Sequence, residues 1–345
     1  MSPRSFLKEG FLRILASILA VLALSGCETF AYYFQAAGGQ FSLLMRARPV
    51  ADLLADPSTL PLLRGRLVLA RDVRDYSVRE LKLPDNASYR SYAELDRPYA
   101  VWNVVSAPEF SLEAQKSCFP VAGCVSYRGF FSQAGAEQYA AEQRGQGLDV
   151  FVYGVAAYST LGRFDDPLLS TFIRYPDAEL ARLVFHELAH QVAYVKDDST
   201  FNESFAVALE REGLRRWLAA TGRDAEAKAY AAAQERNRKF AEAIEQARAR
   251  LNVLYRQRIA PAEMREGKRL ELAALKQALA ASPRYKDTEP NNALLASFAT
   301  YTELVDEFEL ILKENNGDLE RFYSQVRRYA ANAPSNRGPL SARNR

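Results

Sequence analysis

Histidine is almost missing from this chain: there are two in 345 residues. Cysteine (3), methionine (3) and tryptophan (2) are nearly as scarce. The histidine shortage has a direct consequence. Any metal held by both imidazoles must take its next protein ligand from Asp, Glu or Cys. Basic blocks interleaved with aromatics are also absent, so a nucleic-acid partner has no support. The formal charge is only +3, and residues 1–26 contribute Arg4, Lys8, Arg13 and Glu9, which leaves the rest near +1. Otherwise the composition is ordinary, 48% hydrophobic and 25% charged. That is enough for a sizeable core and one or two domains.

The longest apolar run, residues 14–24, is too short for a comfortable membrane span. It follows the positive residues Arg4, Lys8 and Arg13 and reads as an export signal. It ends in Leu24-Ser25-Gly26-Cys27, which resembles the bacterial lipobox. The resemblance implies cleavage before Cys27 and lipidation of that residue, hence a membrane anchor. Glu28, in place of the aspartate that retains such proteins in the inner membrane, points to the outer membrane with the body facing the periplasm. Lipidation uses Cys27 and leaves Cys118 and Cys124 flanking five residues. In an oxidising compartment these two are expected to form a disulfide that staples a loop.

The remaining segments divide the chain into 27–220 (N-terminal and catalytic), 221–285 (helical), 286–331 (C-terminal helices completing the catalytic region) and a polar tail, 332–345. The expected fold class is α+β and predominantly helical. Residues 28–60 look helical, 60–84 are mixed, and 99–105 and 149–155 read as strands around a short helix at 134–143. Asp177 after Pro176 starts a helix over 177–195, with Leu180, Leu183, Val184, Leu188 and Val192 on its apolar face. A second helix runs from about Thr200 to Ala220. Phe240, Ile244, Ala247, Leu251 and Leu254 recur at spacings of four and three, a heptad seam. After Pro261, Leu270, Leu272, Leu275 and Leu279 continue on another helix, so a long antiparallel helical hairpin is expected.

Both histidines stand in His186-Glu187-Leu188-Ala189-His190, an HExxH motif. Residues four apart share a helix face, so both imidazoles reach one ion. Glu187 is rotated about 100° from His186 and can address a water beside the ion. Two scattered histidines would fall in this pattern by chance on the order of one time in a few thousand. Two imidazoles and a carboxylate suit one Zn²⁺. The segment Asn202-Glu203-Ser204-Phe205-Ala206 resembles the NExxA segment of the gluzincins, the thermolysin-like and related aminopeptidase families. That resemblance implies Glu203 as third ligand. The competing reading is a helix-capping box from Thr200 to Glu203, with Glu210 as the alternative ligand. Val207 stands where the thermolysin-like group carries an aspartate that orients a histidine, so Asp197, Asp198 or Glu210 must do that work.

Val121-Ala122-Gly123-Cys124, Tyr127-Arg128-Gly129, the run 158–167, the HExxH helix and Asn291-Asn292-Ala293 together resemble the family of predicted zinc aminopeptidase lipoproteins of proteobacteria. The resemblance implies a gluzincin-like fold, a peptide substrate, zinc on His186, His190 and Glu203, and Glu187 as general base. Candidates for substrate contact are Tyr158, Ser159, Asp165 and Asn292. Asp165 and Asp166 could meet a substrate ammonium or cap a turn before Pro167. Tyr301 and Tyr194 are candidates to stabilise the oxyanion. The rival expectations are a metallo-endopeptidase or cell-wall peptide hydrolase, and a non-catalytic envelope lipoprotein that binds a partner through its hairpin.

Overall fold

The computed structural model describes residues 32–119, 123–280, 282, 285–302 and 304–332. The expected signal segment, Cys27 and the tail beyond residue 332 lie outside them. Among the described residues no helix is long and apolar enough to cross a membrane. The protein is mostly helical, 59% helix and 10% strand.

Residues 32–46 form helix α1 in a unit of their own. Phe34, Phe41 and Met45 stand exposed on it. From Ala47 onward the chain is a single unit. It begins with β1 (Arg48–Pro49), α2 (Val50–Ala55) and α3 (Pro61–Arg79). The sequence hides α3, because the fully buried Arg74 interrupts its apolar face. Pro61 opens it at the first turn, where a missing N–H costs nothing.

β2 (Ser91–Ala93) lies between β1 and a short later strand, β8 (Leu168–Leu169). β3 (Val101–Ala107) is the centre of the main sheet. β4 (Ser117–Phe119) and β5 (Gly123–Val125) form a hairpin in which Cys118 lies opposite Cys124, and a disulfide joins them. β6 (Arg128–Phe130) and β7 (Asp149–Val155) flank β3 on either side, both antiparallel. Phe130 and its partner Trp102 turn toward α4 (Gln133–Gly145), where Phe130 meets Tyr139. Alternation puts Val105, Ala107, Phe151 and Tyr153 on the opposite face.

Two helices carry the HExxH and NExxA motifs, α5 (Asp177–Ala189) and α6 (Ser199–Ala220). They pack on each other, and Phe185 of α5 lies against Gly213 of α6. α7 (Asp224–Tyr255) and α8 (Pro261–Leu279) follow. Arg250 pairs with Glu271, and Gly267 lies against Leu254, so the two run side by side in opposite directions. Their seam is not left open. Ile244, Ala247, Leu251, Leu275 and Leu279 share a core with Leu112 and with Leu294 and Leu295 of α9 (Asn292–Thr302). α9 also sets Ala293 and Ala296 on the sheet face that carries Val105 and Phe151. Small residues there let helix and sheet approach closely. α10 (Val305–Glu314) and α11 (Leu319–Asn332) close on α6, where Phe201 and Phe205 meet Phe308 and Phe322.

Candidate metal centre

α5 is held at its start by charge. Asp177 and Glu179 sit in its first turn, where the helix dipole favours them, and Arg66 and Arg223 both pair with Asp177. The helix ends at Ala189, six residues short of the expected end at 195, with His190 as C-cap. The side chain of Asn202 explains the early stop. It accepts from the Val195 N–H (2.7 Å) and donates to the Val195 carbonyl (2.8 Å). That clamp gives the post-helix backbone its hydrogen bonds and turns it back toward α6. Asn202 is 3% exposed, so the bonds are shielded from water.

Asp198, not Thr200, caps α6 by accepting from the Phe201 N–H at 2.9 Å. The capping box therefore does not form, and Glu203 faces α5. Its carboxylate lies 3.4 Å from His186 Nε2 and 3.9 Å from His190 Nε2. One donor atom from each of His186, His190 and Glu203 falls within 4.8 Å of the others, a group that could hold one ion. The two rings are nearly perpendicular, 85°, with centroids 5.0 Å apart.

Glu210 lies seven residues beyond Glu203, two helical turns on the same face. Its Oε2 is 2.8 Å from His186 Nδ1 and accepts from Arg182 at 2.8 Å. Arg182 also donates to Glu179. Thus Glu210 fixes one imidazole from behind, the task that Val207 cannot perform. Asp197 is used elsewhere: it accepts from the Cys124 N–H and anchors the disulfide hairpin. The left-handed Gly123 lies so close to Asp197 and Lys196 that a Cβ would collide with them.

The electrostatics separate the two histidines. Burial pulls both down. For His186 the hydrogen bonds to Glu203 and Glu210 win, and its pKa rises to about 10. His190 lacks such a partner, its buried Nδ1 has none, and its pKa falls to about 4. Glu203 is held below the usual carboxylate range because the histidines outweigh its burial. Glu187, 6% exposed, goes the other way: burial, reinforced by the charges of Glu203, Asp166 and Glu210, raises it to about 7. A lone buried carboxylate beside a carboxylate engaged by two imidazoles is the division of labour expected of a base and a ligand.

Tyr194 follows the helix end and feels Glu203 as its strongest charge. Tyr127, which spacing alone does not single out, rests on the α9 face of the sheet and feels Glu203, Tyr153, Tyr194 and Glu187 in turn. Tyr301 lies on α9, and its side chain is outside the described residues. Asp166 is buried, and Thr160 donates to both of its oxygens at 2.8 Å from its N–H and hydroxyl. It therefore locks the 160–166 loop, while Asp165 is exposed. Tyr158 packs edge-on against Phe131, and Ser159 accepts from the Leu161 N–H. Asn292 is fully buried, with its side chain engaged by Pro108, Glu109 and Tyr255.

No curated protein and no solved structure matches the chain. A family match covers residues 31–339, nearly its whole length. The chain belongs to the family described as "Putative aminopeptidase".

Proposed function

We propose that the protein is a zinc-dependent aminopeptidase in which His186, His190 and Glu203 hold the ion and Glu187 is the general base. The observation that carries this reading is the convergence of two imidazoles and one carboxylate beside a second, separately buried carboxylate. The donor set fits: His190 is neutral near pH 7, His186 is oriented by Glu210, and Glu203 is ionised. Zinc, when bound, supplies Lewis acidity that polarises a peptide carbonyl and acidifies water.

The chain's own residues do the rest. Glu187 accepts a proton from the attacking water and passes it to the departing amine, so its near-neutral pKa suits both transfers. Tyr127 and Tyr194, whose hydroxyl protons are retained at neutral pH, both feel the charge of Glu203 and are the candidates to donate to the developing oxyanion. β7 is an edge of its sheet, and an extended substrate backbone can add to it. The preference for a free N-terminus rests on the family. The lipobox supports a mature protein tethered through lipidated Cys27 to the outer membrane and working in the periplasm.

The reading is tested by elemental analysis of the purified protein and a panel of free and N-blocked peptides. One zinc per chain and cleavage of the free peptides alone are expected. Cleavage of blocked peptides would make it an endopeptidase or cell-wall peptide hydrolase. Absence of zinc with no cleavage would leave a non-catalytic lipoprotein.

A further inference from the structure

Tyr89 is built into the fold at a cost. Its φ is +62°, in the left-handed region that a bulky side chain rarely enters. Its side chain is 2% exposed, and the buried hydroxyl has no hydrogen-bond partner. Each feature is unfavourable by itself, so the surroundings must impose both.

They do so through a clamp. Arg74 is fully buried, and all of its donors point at the turn that precedes Tyr89 or at its own helix. Its Nε donates to the Ser88 carbonyl (2.9 Å), and Nη2 to the carbonyls of Pro84 (2.8 Å) and Asn86 (3.1 Å). Nη1 reaches Ser77 Oγ at 3.2 Å. Burial, reinforced by the charge of Arg90, outweighs Asp85 and Asp75 and lowers its pKa to about 10, so it stays charged at neutral pH. The same turn is tied to the residue that follows His190. Asn86 Nδ2 donates to Gln191 Oε1 (2.7 Å), and Gln191 Nε2 donates to Ser88 Oγ (3.2 Å). The Tyr89 N–H donates to the Asp166 carbonyl at 2.6 Å, which fastens the turn to the 160–166 loop.

The turn meets the metal helix on the side of Glu187, because Gln191, which it holds, follows Glu187 by four residues, about one turn. Among the charges acting on Tyr89, Glu187 is the strongest, followed by Asp166. Asp166 in turn acts on Glu187. A buried phenol that can donate, beside a carboxylate that must keep one orientation, is a complementary pair.

We propose that Tyr89 is a positioning residue for Glu187: its hydroxyl donates to the Glu187 carboxylate, directly or through a single shared water, and fixes the rotamer in which that carboxylate accepts a proton. The proposal rests on the reading of Glu187 as the base. The strained turn and its Arg74 clamp are the means by which a residue far away in sequence reaches the metal helix.

Two measurements test it. The first is a crystal structure of the zinc-loaded protein at a resolution that orders water. It should show Tyr89 Oη bonded to a Glu187 oxygen, directly or across one water. A structure in which both arrangements are missing would overturn the proposal. The second is Tyr89→Phe. Because the substitution keeps the buried ring and removes a single hydroxyl, melting temperature and zinc content should change little. Peptide kcat should drop about ten- to hundredfold with KM little changed, the loss expected for one hydrogen bond to a charged group. An unchanged kcat, or a change confined to KM, would overturn it. If the wild-type protein cleaves no peptide, the aminopeptidase reading fails, and the crystallographic result alone decides the role of Tyr89.

Discussion

The α5–α6 pair and the α7–α8 pair both bury a seam between packed helices, and the contents of the seams are opposite. Between α7 and α8 lie Ile244, Ala247, Leu251, Leu275 and Leu279. Between α5 and α6 lie His186, Glu187, His190, Glu203, Glu210 and Arg182, three of these six under 10% exposed. Apolar burial stabilises without directional demands. Burying carboxylates and imidazoles is expensive unless each finds a partner. The first seam therefore reads as scaffold and the second as a site whose stability is spent on chemistry.

Breaking the scaffold should leave the site's chemistry alone. Leu251→Ala removes a fully buried side chain from the α7–α8 core and should cost about 2–5 kcal/mol in denaturant unfolding. Zinc affinity of the folded fraction should be unchanged. A parallel loss of zinc binding would show that the two seams are coupled.

Glu210→Gln should do the reverse. It preserves shape and weakens the grip on His186 Nδ1. Chelator competition should show zinc binding weakened about ten- to hundredfold. Unaltered affinity would mean that Glu210 serves only to neutralise Arg182.

The effect that is smallest per step is a pH slope. His186 in the metal-free protein has its pKa raised from 6.5 to about 10, so it carries a proton throughout that window. Zinc must displace it, and binding must strengthen as pH rises. Affinity should gain about tenfold per pH unit between those values. A flat profile would show that His186 is already neutral.

The scaffold and the site were legible to different degrees. The HExxH pattern and the two-histidine count are read straight from the sequence, because helical periodicity fixes which residues share a face, whereas the Glu203 candidate comes from the likeness of its segment to NExxA. The 149–155 strand and the buried positions Ile244, Ala247, Leu251, Leu275 and Leu279 are legible from their periodicity as well, whereas Leu270, counted with them, stands exposed. α3 was hidden, since Arg74 occupies a core position and breaks the apolar pattern. The end of α5 was hidden as well. Its apolar spacing continues to Val192, while the stop depends on the Asn202 side chain, seven residues beyond Val195. Glu210 could be named only as one of three candidates to orient a histidine, and its choice depends on Arg182 across the helix pair. Tyr127 and Tyr89 reach the site through the sheet and a strained turn, contacts that one-dimensional spacing does not encode.

The central claim is that Glu187 works as the base beside an ion held by the other three residues. Glu187→Gln in the purified protein tests it most directly. The variant should retain one zinc per chain and a normal melting temperature while peptide hydrolysis disappears. Hydrolysis at the wild-type rate would contradict the account.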